Sequence, residues 1–267
     1  MTGLTLLAAS AVLDPPGPGT PPSESIMDFQ RALVEPFGRK VDEDLFRRGA
    51  QVSHTDLIDR LLDADDVRKS RPQLVVVTHA LPDVTPFTAV AAYLANRLDC
   101  DTQCFGIAQQ GLAAPFTALR IAAAFHRAGR CTEAVITALE QTTLPTAMPL
   151  VDETPLKDSA AALVLGQGPG PQLAEVVSGG DVTELIRDRV TGGELVVLGP
   201  WVDTGELGDV QVHRVGPGSY CTSVWLALAT HWRAWQAEHS TILLCDTDPI
   251  TGRGHVAVFA RNRRNDR

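Results

Sequence analysis

The sequence predicts an α/β fold made of two comparable halves, and three observations carry that prediction. Short uninterrupted apolar runs (LVVVT at 74–78, QCFGI at 103–107, LVVL at 195–198) read as strands buried on both faces, the mark of parallel sheets sandwiched by helices. Segments of helical length separate them. The alternation, once complete in residues 1–170, recurs in 171–267, so the chain reads as one compact unit of two halves. Strands joined by right-handed crossovers and covered by helices on both faces are the packing such a pattern calls for.

The opening run, MTGLTLLAASAVL, has no basic residue before its apolar stretch and is too short to span a bilayer, so it reads as a strand. Residues 14–22 (DPPGPGTPP) can be neither helix nor central strand. Residues 25–69 are charged and weakly amphipathic and predict one or two helices, with Ser53 as an N-cap before Leu57, Leu61 and Leu62. After LVVVT and the loop HALPDVTP come an alanine-rich helix over 88–98 and the strand at 103–107. The stretch at 104–128 is the one around which the chain is organised. Its Gly-Ile-Ala-Gln-Gln-Gly turn opens a helix with Ala113, Phe116, Leu119, Ile121, Ala123 and Phe125 on every side, which predicts burial. Gly129 stops that helix, and 133–140 (EAVITALE) is a third strand.

Residues 141–156 hold three prolines and no period, a loop at the site. A strand over 158–166, a turn at 168–171, a short strand at 175–177 and a helix over 183–190 complete the first alternation and begin the second. Then come LVVL, a strand at 211–215, a Gly-Pro-Gly turn, and a helix over 219–236. The closing strands at 241–245 and 255–260 are linked by DTDPITGRG, which has hairpin-loop chemistry.

Composition narrows the function classes. With 267 residues, 44% of them hydrophobic, the chain can bury a sizeable core. A formal charge of -9 argues against a nucleic-acid partner, which needs a basic face. Five cysteines, odd in number and set in apolar segments, suit reduced thiols in a cytoplasmic protein without disulfides.

The order LVVVT, proline loop, helix, CFGI strand, buried helix, EAVITALE, DSAAALVLG resembles the N-terminal half of the thiolase superfamily, closest to the initiating, type III ketoacyl-acyl carrier protein synthases. VGPGSYCTSVWLALATHW, TILLCDTD and GHVAVFAR resemble the end of that family's C-terminal half. The resemblance implies a thiolase-like α/β fold, two βαβ-type halves layered α-β-α-β-α. It is shortened here, with length missing near the N-terminus and around 203–209. It also implies a chemistry: a cysteine at the start of the buried helix takes an acyl group as a thioester, and a histidine and an asparagine from the second half promote decarboxylation and condensation. By correspondence the cysteine position is Leu112, the histidine position Trp201 and the asparagine position Pro217. None of these side chains can do the work of the residue it replaces.

The resemblance therefore implies a degenerate member, not self-sufficient as an enzyme and without a cofactor. It would pair with a cysteine-bearing homologue or with itself through the strand at 103–107, with acyl carrier protein or acyl-CoA as a further partner. The competing reading is a cysteine-independent acyltransferase or thioesterase that holds an acyl thioester in the old pocket. His79, Gln109, Gln110 and His213 are its candidate pocket or fallback residues. Each has a plainer reading. His79 ends a strand where α/β sites form, yet loop histidines are usually solvated. His213 suits packing, and Gln109 and Gln110 suit a pocket or a subunit interface. Cys104 packs as a small hydrophobe, and with Cys100 it makes half a metal site with no second pair. His126 complements a helix C-terminus, Asp158 and Ser159 open a strand, and Gly252 and Gly254 lack the context of a phosphate loop.

Overall fold

The structure is a computed structural model and describes residues 3–85, 87–205 and 207–261. The first half runs β1 (Thr5–Leu13), α1 (Glu24–Val34), α2 (Glu43–Arg48), α3 (His54–Leu61), α4 (Asp65–Arg68), β2 (Leu74–His79) and α5 (Val90–Arg97). It continues through β3 (Gln103–Ile107), α6 (Ala114–Arg127), β4 (Ala134–Glu140), α7 (Pro149–Asp152) and β5 (Ser159–Gly166). The second half runs β6 (Gln172–Gly179), α8 (Val182–Arg187), β7 (Leu195–Leu198), β8 (Gln211–Arg214), α9 (Ser223–Glu238), β9 (Thr241–Thr247) and β10 (Gly254–Ala260).

The strands join in the order β3-β2-β4-β5-β1-β6-β10-β9-β7-β8. Read from its two ends, that order is the same pattern twice. In each half a parallel trio (β3-β2-β4 and β8-β7-β9) is extended by two antiparallel strands (β5-β1 and β10-β6). Within the sheet the halves meet between β1 and β6, where Thr5 pairs with Gln172 and the Leu173 N–H donates to the Leu4 carbonyl.

Side-chain alternation along the strands builds the layers. In β2, Leu74 and Val76 face a central core and Val75 and Val77 an outer one. The central core holds α6 (Phe116, Leu119) and α9 (Val224, Trp225, Leu228) between strands of both halves, among them Ile136, Leu163, Leu244 and Ala257. Outside the first half, Leu57 and Leu61 of α3 and Leu94 of α5 cover Val75, Val77 and Val164. Outside the second, Val182 and Ile186 of α8 cover Val196, Leu243 and Val256. The result is the α-β-α-β-α layering. The second outer layer is thin: α8 has six residues, and no helix covers the crossover from β7 to β8 among the described residues.

Local sequence accounts for the ends of several elements. Ser53 caps α3 with a full capping box, its side chain bonding the Asp56 N–H and the Asp56 carboxylate the Ser53 N–H. Gly129, at φ +69°, ends α6 with two bonds, from its own N–H to the His126 carbonyl and from Arg130 N–H to the Phe125 carbonyl.

Four expectations are corrected. Residues 25–69 form four helices rather than one or two, because prolines, glycines and caps divide the segment. β3 is not buried on both faces: it is an outermost strand whose only partner among the described residues is β2, and its residues are exposed or half-buried up to Ile107. α6 is not buried all round, since Arg120, Ala124 and Arg127 form an exposed stripe. β6 extends over eight residues because β10 pairs with it along its whole length. No helix of the described residues is long and apolar enough to cross a membrane.

Candidate functional site

The turn between β3 and α6 is built on positive φ angles at Gln109 (61°) and Gly111 (54°). A Cβ at Gly111 would run into the Tyr220 hydroxyl and lie 2.8 Å from Asp248 Oδ2, so only glycine lets the chain pass here. Leu112 follows in a single 3-10 turn ahead of α6 and is 1% exposed, its side chain part of the central core. Its backbone N–H approaches the Tyr220 hydroxyl, which in turn donates to Asp248 Oδ2 at 3.0 Å. Burial and the Asp248 charge push the Tyr220 phenol well above its usual range.

Tyr220 also receives the edge of Trp201, with ring centroids 6.5 Å apart at 85°. The Trp201 indole Nε1 is buried without a hydrogen-bond partner. Two of the three positions singled out by the sequence, Leu112 and Trp201, are thus bridged by one residue the sequence reading missed. Pro217 does not join them: it is exposed in its turn.

Two buried carboxylates hold this region from below, each near the end of the equivalent strand in its half. Glu140, last in β4, accepts from the N–H groups of Tyr220 (2.8 Å) and Cys221 (2.6 Å), satisfying donors that the approach to α9 would otherwise leave orphaned. Burial raises its pKa to about 7 against the opposing pull of those donors. Asp246 in β9 accepts from the Ser223 hydroxyl, from Thr247 N–H at 2.9 Å and from the Trp201 backbone, and burial likewise raises it to about 7. Its carboxylate lies so close to Gly199 that no side chain fits there, which fixes the Gly-Pro-Trp turn.

Beside Leu112 lies an open cavity of about 470 Å³, walled by Gln109, Gln110 and Gly111, by Thr117 and Arg120 of α6, and by the hairpin that carries Asp248 and Arg253. Ser178 and His255 complete it from β6 and β10. These two are direct cross-strand partners, with Ser178 Oγ 2.7 Å from His255 Nδ1. The His255 ring stacks on Phe116 at 5.3 Å, and burial pulls its pKa down to about 4.

Of the fallback residues, Gln109 and Gln110 line this cavity. His79 lies elsewhere, on a second cavity of about 400 Å³ between β3 and α5 that Cys104 also lines. Its Nδ1 meets the Leu81 carbonyl at 2.8 Å, and its ring lies 4.8 Å from that of the fully buried His54. His213 packs against His231 and Trp235 of α9 at the far edge of the second half. The described residues hold no group of three or more His, Cys, Asp or Glu side chains suited to a metal ion. Ser178, Tyr220, Asp248 and His255 were missed because they come from distant segments. The one available signal was a histidine within the apolar run of the last strand.

No protein-family model matches the chain, and no curated protein matches it by sequence. Solved structures do match it in fold, and those matched include condensing enzymes of the ketosynthase III type. The 3-oxoacyl-(acyl carrier protein) synthase III FabH from Pseudomonas aeruginosa PAO1 superposes with a TM-score of 0.62 at 15% identity, over 97% of this chain and 98% of that one. The tetronic acid condensing enzyme AbyA1 gives 0.63 at 16%, over 97% and 100%. OleA from Xanthomonas campestris, with bound lauric acid and lauroyl-CoA, gives 0.59 at 14%, over 97% and 99%. At these identities the likeness shows a thiolase-like fold.

Proposed function

We propose that the chain is a ketosynthase-like subunit that does not carry out condensation by itself and pairs with a cysteine-bearing homologue in acyl or polyketide metabolism. The observation that carries this reading is Leu112: the position that opens α6 holds a buried aliphatic side chain, and the Tyr220 hydroxyl stands against its backbone. No thioester forms on leucine. Pairing needs the fold and an interface, and β3 offers one, an outermost strand with one edge unpaired among the described residues. A self-pair through the same edge is the homodimeric version, and an acyl carrier protein or acyl-CoA is the further partner of either assembly.

Co-expression with cysteine-bearing homologues tests it. The chain is expected to co-purify with one of them and, alone, to form no carbon–carbon bond from acyl and malonyl thioesters. Condensation by the isolated chain overturns the reading, as does failure of every homologue to co-purify.

A second reading, a cysteine-independent acyltransferase or thioesterase, is favoured by the cavity. Its volume falls in the range of small-molecule sites, and its walls carry convergent polar side chains beside Leu112.

A further inference from the structure

The second reading leaves the reacting group unassigned, and the cavity supplies one. We propose that Ser178 is a nucleophile with His255 as its base, and that the cavity hydrolyses a carboxylic thioester or ester carrying an anionic group. This rests on the second reading and leaves the pairing reading untouched, since hydrolysis and condensation are separate reactions.

Three observations converge. The Ser178 hydroxyl and His255 Nδ1 are 2.7 Å apart, within reach for direct proton transfer, and their relative position is set by a cross-strand pairing rather than by a mobile loop. The imidazole is 2% exposed and fixed by its stack on Phe116, so it cannot swing away. Both side chains wall the cavity, together with Arg120 and Arg253, two cations placed to hold an anionic substituent, and with Gln109 and Gln110, whose amides are donors for an oxyanion.

Electrostatics supports the role and sets its pace. Burial lowers the His255 pKa most, Asp248 raises it, and Arg253 and Arg120 lower it further, leaving it at about 4. The ring is therefore neutral at neutral pH and accepts a proton. A base this weak gives slow turnover, so covalent labelling is a better readout than rate alone.

In the first step the Ser178 Oγ–acyl bond forms and the substrate C–S or C–O bond breaks. The serine proton passes to His255 and then to the leaving thiolate or alkoxide. In the second step water attacks the acyl-serine ester, His255 takes the water's proton and returns it to Ser178 Oγ, and the carboxylic acid leaves. The sum is thioester plus water giving acid plus thiol.

The test uses the full-length chain with a fluorophosphonate probe, hexanoyl-CoA as anionic thioester, and S-ethyl thiohexanoate as neutral thioester. The expected result is a single phosphonylated residue, Ser178, by peptide mass spectrometry, with hydrolysis of hexanoyl-CoA above the buffer rate. Ser178→Ala should abolish the adduct. His255→Gln, which keeps a hydrogen-bonding group opposite Ser178, should slow both labelling and hydrolysis by about 100-fold with an unchanged circular dichroism spectrum. Arg253→Gln should raise KM for hexanoyl-CoA and leave that for the neutral thioester unchanged. Hydrolysis that persists undiminished in Ser178→Ala overturns the assignment while the second reading stands. A wild-type chain that neither labels nor hydrolyses overturns both.

Discussion

Leu112→Cys is the substitution that places a thiol where the ketosynthase resemblance expects one. The leucine is 1% exposed within the central core, and the change removes the bulk of about two methyl groups. At roughly 0.8 kcal/mol per buried methylene plus a cavity term, the variant should lose about 2 kcal/mol and still fold. Two effects then compete for the new thiol. The start of α6 favours a thiolate by about 0.3–1 kcal/mol, less than one pKa unit, whereas full burial disfavours it by up to about 3–5 units. The protein's own buried thiols show which wins, since burial drives Cys221 and Cys245 well above the ordinary value. Iodoacetamide labelling at about pH 8 with peptide mapping should modify the half-buried Cys100 and Cys104 and spare the introduced thiol until the chain is denatured. No condensation should appear with malonyl and acyl thioesters. Labelling of that thiol as fast as an exposed cysteine, or condensation by this single variant, would refute the reasoning about both the burial and the other two positions.

The remaining predictions concern the frame around the site. The folded-state pKa of Glu140 is raised from the ordinary 4.5 to about 7, so its contribution to stability is present in full below pH 4.5 and is lost as pH rises through 7, by up to about 3 kcal/mol. Asp246 acts in the same sense. Urea midpoints should therefore fall between pH 5 and pH 8, and Glu140→Gln should remove about half of that fall. An unchanged slope in the variant would place the titration elsewhere. Gly111→Ala should cost more than about 2 kcal/mol, as a lowered Tm, because the residue needs a positive φ and its Cβ would meet Tyr220 and Asp248.

The fold was legible where the local pattern and the tertiary environment agree. LVVVT, AVITALE and LVVL are buried along their full lengths, and their apolar runs say so. The capping of α3 by Ser53 was legible because capping is a matter of a few neighbouring residues. An apolar run does not distinguish a central strand from an edge, which is why β3 was read as buried. The exposed stripe of α6 was visible in Arg120 and Arg127 but was outweighed by the apolar residues around them. The candidate site was legible at Leu112, Gln109 and Gln110, which lie on one turn, and at Trp201, which meets Tyr220. Its other members stand at 178, 220, 248 and 255, and only the pairing of β6 with β10 and the approach of α9 to that turn bring them together.

The two-half architecture also explains why chemistry should sit on one side of the molecule. Both central helices begin near the site, and a helix start is a natural place for negative charge. Just ahead of α9, Glu140 is fully buried and accepts from the N–H groups of Tyr220 and Cys221, and Asp246 accepts from the hydroxyl of Ser223, the first residue of the helix, so this approach is closed from within. At α6 no side chain caps the first turn, and Gly111 and Ala113 line the cavity. The duplicated fold thus closes the approach to α9 with buried carboxylates and leaves the approach to α6 facing open volume. Leu112 itself lies in the central core and leaves that open side without a thiol. What remains there is a polar chamber whose best-oriented reactive pair, Ser178 and His255, comes from the strands opposite α6 rather than from the helix itself.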